Sequence, residues 1–346
     1  MVETVLVPLL KIIVVLNATL LGVTYMVLLE RKVIAWAQSR LGPMRVGPYG
    51  VLQPIADAVK LMLKEDITPA RADKWVFTLA PILSMVPALI VYAVIPFGDE
   101  VHLFGRSVSL YITDINVGLL LFLAMSSLGV YAIVLAGWSS NNKYALLGGL
   151  RSSAQMISYE LAMGLSVIPV VMFSGTLSLV GIVESQAGFY RPFANLPIAL
   201  PNWGVFHWFL LLPFVIFLIT MFAETNRTPF DLPEAEGELV AGFHTEYSSM
   251  KWAMFFLGEY MNMIVISSVC VTLFFGGWLG PGPAWLGLVW YLLKLLALLF
   301  LFIWVRWTFP RLRYDQLMNF GWKVLLPGAI ANILIATVWL YGRWNG

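Results

Sequence analysis

This chain has very few of the side chains that hold metals and redox groups. It contains one cysteine, Cys270, and three histidines, His102, His207 and His244. One thiol can neither form a disulfide within the chain nor hold an iron–sulfur cluster. The histidines lie too far apart in sequence to read as a haem-ligand pair. No metal site and no bound cofactor are therefore expected. If the protein takes part in redox chemistry, the electrons come from a cofactor in another subunit. Charged residues are also scarce, at 12% against 60% hydrophobic over 346 residues. That balance excludes an ordinary soluble protein and indicates a polytopic membrane protein. The net charge of +2 provides no basis for nucleic-acid binding. No basic n-region and no small-residue cleavage site open the chain, so its first apolar stretch is expected to be a retained span. There is no evident repeat or low-complexity tract, and one membrane domain over 1–346 is expected.

What is present is a series of long apolar runs. Eight segments can cross ~30 Å of hydrocarbon, a distance that takes about 20 helical residues. They are 4–29, 75–97, 115–137, 153–174, 206–223, 250–277, 286–306 and 321–341. The expected fold is all-α, a bundle of eight transmembrane helices. Pro81, Pro87, Pro169, Pro213 and Pro327 fall inside these segments, which packed membrane helices tolerate. Basic residues fix the orientation. Arg31, Lys32, Arg40, Arg45, Lys60, Lys64, Arg71 and Lys74 share one connection. Lys143, Arg151, Arg227, Lys251, Arg306, Arg311, Arg313 and Lys323 fall on the same side. Only Arg106, Arg191 and Arg343 fall on the other, so sixteen oppose three. Both termini are therefore expected outside, and Lys11 and Lys294 lie within spans.

The first inner connection contains a further helix. Over 51–65, Gln53, Asp57, Lys60 and Lys64 make one polar stripe on an otherwise apolar surface. This spacing predicts a short amphipathic helix at the inner interface or packed on the bundle. Periodicity alone favours a plain interfacial helix. The outer connection 175–204 has a short amphipathic stretch near 177–185 and no evident chemistry.

The polar residues gather on the inner side. Most informative is ETNRTPFDLPEAEGELVAGFHTEY, residues 224–247, between two very apolar segments. It packs Glu224, Asp231, Glu234, Glu236, Glu238 and Glu246 together, opposed by Arg227. Ionised carboxylates lose hydration near a bilayer, and crowded ones titrate as a set with some pKa values raised towards neutrality. That chemistry suits proton handling; the bland reading is an acidic surface loop. Glu160, Glu259 and Lys294 sit inside spans, where each is costly unless paired and is a functional candidate for that reason. A buried pair that merely pins helices is the alternative. Arg31 and Arg40 can neutralise Asp57 or the acidic loop, and an amphipathic cavity roofed by such pairs would suit a quinone. A proton-coupled carrier and a plain membrane anchor are competing readings.

These motifs resemble a known family. The 224–247 segment, ERKVIAWAQSRLGPMRVGPYGVLQPIADAVKLMLKED (30–66), RSSAQMISYE (151–160) and FPRLRYDQLM (309–318) are similar to the quinone-site membrane subunit of proton-pumping NADH:quinone oxidoreductase, respiratory complex I (the bacterial H-type subunit and its mitochondrial counterpart). The resemblance covers essentially the whole chain. It implies a bacterial inner-membrane subunit with periplasmic termini, embedded in membrane lipid. Its expected partners are peripheral-arm iron–sulfur subunits and antiporter-like membrane subunits, and its expected substrate is ubiquinone or menaquinone. It further implies that Arg31, Gln38, Arg40, Asp57 and Phe230 line or gate a quinone tunnel. Glu160, Glu224, Asp231, Glu234, Glu236, Glu238, Glu246 and Glu259, with Lys294, would form a path for protons or for the redox signal. Membrane subunits of related hydrogenases and of other-donor quinone reductases share parts of the pattern.

Overall fold

The computed structural model describes residues 6–103, 106–190, 200–232 and 240–345. The fold is all-α. Its helices are α1 (Val7–Ala37), α2 (Gln53–Leu63), α3 (Lys74–Val91), α4 (Gly118–Ser139), α5 (Lys143–Ser174), α6 (Leu179–Ser185), α7 (Trp208–Glu224), α8 (Ser249–Phe274), α9 (Gly287–Thr308), α10 (Tyr314–Phe320) and α11 (Leu326–Asn345). Two small antiparallel hairpins accompany them. In one, Glu100–Leu103 pairs with Arg106–Ser109; in the other, Phe189–Tyr190 pairs with Leu200–Pro201.

Among the described residues, seven helices are long and apolar enough to cross a membrane. The last of these is the run Tyr314–Gly342, in which a π-helical turn at Gly321–Leu325 joins α10 to α11. The remaining expected segment, 206–223, is α7, a shorter apolar helix of 17 residues. At 1.5 Å per residue it is about 26 Å long, at the lower limit for spanning.

Local signals set the helix ends. Asn142 accepts a hydrogen bond from Tyr144 N (2.9 Å) and starts α5 ten residues before the apolar run that marks it in the sequence. Gly175, at φ +72°, ends it with its N–H on Val171 O, the left-handed stop that glycine permits. Asp73 caps α3 on Trp75 N and Val76 N.

α8 is the core helix, and Val265–Phe274 is buried without interruption. α1, α3, α7 and α9 pack around it. Close approach depends on small residues. A Cβ at Gly258 of α8 would lie 2.6 Å from Ser84 Oγ of α3, and one at Gly148 of α5 would lie 2.8 Å from Gly242 Cα. The second contact seats the Gly242–His244 turn on α5. Many large apolar residues face outward, including Leu9, Ile13, Leu293, Leu296 and Val338, as suits a hydrocarbon surround.

The amphipathic helix α2 packs against α1 and α8. Ser249 Oγ donates to Leu61 O (3.0 Å) and Lys64 O (2.9 Å), and Lys251 pairs with Asp66 at 3.0 Å. The end of α2 is thus tied to the start of α8.

Candidate functional site

Four polar arrangements lie along one half of the bundle. The first joins α1 to α2. Arg31 Nη1 lies 2.6 Å from Asp57 Oδ2, and Gln53 Nε2 donates to Asp57 Oδ1 at 2.9 Å. Both partners are partly exposed. One helical turn of α2 separates Gln53 from Asp57, so one carboxylate receives both donors. Nearby, Arg40 Nε donates to Gln38 Oε1 at 2.7 Å at the exposed end of α1.

The second arrangement is buried. Glu30, which precedes Arg31 in α1, is only 4% exposed. It is paired with Arg306 of α9, accepts a hydrogen bond from Tyr260 of α8, and lies 3.7 Å from Arg227. Arg227 Nε is 2.7 Å from Glu259 Oε1, and its guanidinium stacks 4.4 Å from the centre of the Tyr260 ring. Two carboxylates and two guanidiniums balance here, as burial of charge requires. Adjacent residues of α1 therefore serve different partners: Arg31 holds Asp57, and Glu30 enters the buried group.

The third arrangement is a serine pair on α4. Ser126 Oγ donates to Glu224 Oε1 at 2.5 Å, and Ser127 donates to Glu160. Two consecutive residues thus bridge a carboxylate at the end of α7 to one in the middle of α5. Glu224 Oε2 has no hydrogen-bond partner among the described residues.

The fourth arrangement is a pair of small cavities that share Glu224 and Asn262. The larger, of about 60 Å³, is also lined by Ser84, Asn226, His244 and Glu259. The smaller, of about 20 Å³, reaches Ser126, Val265 and Ile266. A space of this size and polarity suits a few water molecules. Burial pushes the His244 imidazole down to about 4, so it is neutral near pH 7. Burial likewise pushes the Tyr247 phenol up to about 12, opposed by its contact with Ser139.

The structure brings Glu160, Glu224 and Glu259 into this region, and Arg31 and Asp57 to its edge. It does not bring every expected residue there. Phe230 is buried in the core, its ring edge-on to Tyr159 at 5.2 Å and its carbonyl accepting from Gln155 at 2.7 Å. Asp231 is half-buried beside it. Glu246 accepts from Asn142 at 2.6 Å, beside a surface hollow that includes Arg71 and Lys143. Lys294 donates to the carbonyls of Phe275, Gly277 and Leu279 beyond the far end of α8. Glu234, Glu236 and Glu238 lie outside the described residues.

Glu30, Arg306, Tyr260 and Asn262 do not stand out in the sequence. Glu30 lies at the edge of an apolar run and reads as an ordinary boundary charge. Ser126-Ser127 in mid-span is the one legible clue. Among the described residues, no group of three or more histidine, cysteine, aspartate or glutamate side chains could hold a metal ion.

A family model described as NADH dehydrogenase matches residues 10–337. The chain belongs to the H-type membrane subunit family of NADH-quinone oxidoreductase. It is 54% identical to the NADH-quinone oxidoreductase H-type subunit of Syntrophotalea carbinolica over 96% of this chain and 95% of that one. It is 55% identical to the first H-type subunit of Geobacter metallireducens, with 91% of each chain covered. The second H-type subunit of Koribacter versatilis is 48% identical over 97% of each. Membership identifies a membrane subunit of a multi-subunit oxidoreductase, with quinone consistent as the substrate of the assembly.

Proposed function

We propose that this chain helps form the quinone-binding passage of a proton-translocating NADH-quinone oxidoreductase and couples quinone reduction to proton movement. Electrons reach the quinone from carriers in peripheral partner subunits, and antiporter-like membrane subunits receive the signal. The observation that carries this reading is the adjacency of Glu30 and Arg31. Through it the Asp57 corner meets the Arg227–Glu259 group, and Glu259 shares a cavity with Glu224.

Reducing a quinone to a quinol takes up two electrons and two protons. Until the protons arrive, negative charge sits near the Arg31–Asp57 pair. That charge competes with Asp57 for the Arg31 guanidinium. A charge change there is felt at Glu30, one residue away, because low effective dielectric strengthens such interactions. Any weakening of the Glu30–Arg227 contact leaves Arg227 more strongly committed to Glu259. The changed field favours proton gain or loss at Glu259 and Glu224 across the shared cavity, and Ser126 and Ser127 extend the effect to Glu160. Hydroxyls are suited to this step because each both donates and accepts. Gln38 and Arg40, at the exposed end of α1, contact the quinone's polar head.

The test is Glu224→Gln in the complete assembly reconstituted into liposomes. The variant is expected to assemble, to reduce quinone more slowly with NADH, and to move fewer protons per quinone. Wild-type coupled turnover in this variant would overturn the proposal.

A further inference from the structure

The end of the bundle opposite the carboxylates is closed by two polar side chains that the proposed function does not use. A helix leaves its last carbonyls without partners inside the helix, and α8 ends buried. Gln186, which follows α6 and is 2% exposed, supplies part of what is missing. Its Nε2 donates to Ile182 O (3.2 Å), Thr272 O (2.9 Å) and Leu273 O (3.2 Å). Its Oε1 accepts from Gly204 N (2.9 Å) and Gly276 N (3.0 Å).

Lys294 of α9 completes the set. Its Nζ donates to Phe275 O (2.7 Å), Gly277 O (3.0 Å) and Leu279 O (2.5 Å), which uses all three ammonium hydrogens. It also lies 4.0 Å from the centre of the Trp203 ring, a favourable position for a cation. The partners of this cation are carbonyl dipoles and a ring face, at the negative end of a helix. Gly276 and Gly277 are pressed so closely that a Cβ on the first would lie 2.5 Å from Trp203 and one on the second 2.6 Å from Val183.

Between this closure and the carboxylates the interior is largely apolar, with the Tyr291 hydroxyl buried beside Ser268. The smaller cavity ends at Val265 and Ile266. Beyond it Val269, Cys270, Leu273 and Phe274 have no exposed surface, and Phe214 and Phe217 pack their rings on Phe274. The hydroxyls of Ser267, Ser268 and Thr272 each donate to the carbonyl four residues back in α8.

We propose that Gln186 and Lys294 form a proton seal, which keeps protons handled by Glu224, Glu160 and Glu259 from crossing this chain to the opposite surface. A proton wire needs donors and acceptors that can exchange partners, and here the α8 hydroxyls and the Gln186 and Lys294 side chains are engaged by backbone. A fixed ammonium also raises the energy of any positive charge approaching the exit, as cationic side chains do in pores that exclude protons. Charge moving through the carboxylates then leaves within the membrane plane. This inference rests on the proposed function for the presence of mobile protons in the bundle.

The test uses the complete assembly in liposomes with an entrapped pH dye and no NADH. A pH step is imposed with potassium and valinomycin present, and its decay is followed. Lys294→Met and Gln186→Leu are expected to speed the decay several-fold, and Lys294→Arg to restore it. Co-purification of the other subunits shows that the assembly is intact. If Lys294→Met does not assemble, Trp203→Leu, which removes only the ring beneath the ammonium, is read instead. Wild-type decay in assembled variants overturns the seal, as does escape of the dye itself, which marks a general defect. Adding Glu224→Gln to Lys294→Met separates the two proposals. A slowed leak supports both, whereas an unchanged fast leak keeps the seal and removes Glu224 from the path.

Discussion

Arg227 Nε and Glu259 Oε1 lie 2.7 Å apart, with side chains only 6% and 22% exposed. Arg227 follows α7 and Glu259 lies in α8, so this ion pair fixes where the segment after α7 enters the bundle. Glu30 shares the same guanidinium from α1. Removing Arg227 would leave Glu30 and Glu259 with one guanidinium, that of Arg306, where two now balance them in a poorly hydrated site. Arg227→Met is therefore expected to destabilise the subunit by about 3–5 kcal/mol, the usual cost of an uncompensated buried charge. Arg227→Lys keeps the charge but not the planar fork and should fall between. Thermal unfolding of the purified assembly, with its subunit content, checks the order.

The Arg31–Asp57 pair should behave in the opposite way. Its side chains are 47% and 33% exposed, and pairs of that kind contribute about 0–1 kcal/mol. Asp57→Asn is thus expected to leave assembly and melting temperature nearly unchanged. If the pair meets the quinone, the same variant will raise the apparent KM for quinone or lower kcat. Steady-state kinetics with a short-chain quinone, set beside a melting curve, makes the comparison. A large stability loss with normal kinetics would contradict it.

The serine pair offers a third measurement. Each hydroxyl donates to a carboxylate, and hydrogen bonds to charged groups contribute about 1.5–3 kcal/mol. Ser126→Ala or Ser127→Ala alone should reduce coupled turnover modestly. The double variant should reduce it by more than the product of the two if the hydroxyls act as one bridge. Simple multiplication would instead mark two independent contacts.

His244 predicts an acid sensitivity with a definite sign. Its folded-state value is pushed down to about 4 by burial, from an ordinary value of 6.5. Between those values the unfolded chain binds the proton and the folded chain does not, so stability is lost as pH falls through this window. The loss is complete below 4 and can reach about 3 kcal/mol, at 1.36 kcal/mol per pH unit. His244→Asn should flatten the fall in melting temperature between pH 6.5 and 4.5, and an equal fall in both proteins would count against the assignment.

Much of the fold is legible because membrane helices are local. Nearly every bond they need is made within the segment, and hydropathy reads each one in isolation. The helix at 51–65 is equally clear from its polar stripe. The boundaries are less clear, because capping moves them. Asn142 starts α5 well before its apolar run, and Gln38 ends α1 well past the first one.

The candidate site is legible only by residue type. Glu160, Glu224 and Glu259 stand out because ionisable groups in apolar runs are costly. Their partners do not, since Ser127 and Glu160 are 33 residues apart and Glu30 and Tyr260 are 230 apart. In the sequence Lys294 reads as a companion to Glu259, one span away. At 1.5 Å per residue, however, the carbonyls it holds lie about 24 Å along α8 from that glutamate.

The sequence by itself determined the membrane class, the order of the spans, the family and the pool of charged groups. Composition and short-range periodicity suffice for these. Tertiary structure alone decided that Glu30 joins Arg227 and Arg306, that Ser126 and Ser127 bridge two glutamates, and that Lys294 closes the opposite end. Those pairings depend on which helix faces meet. That is set by close contacts such as Gly258 against Ser84, which no single segment encodes.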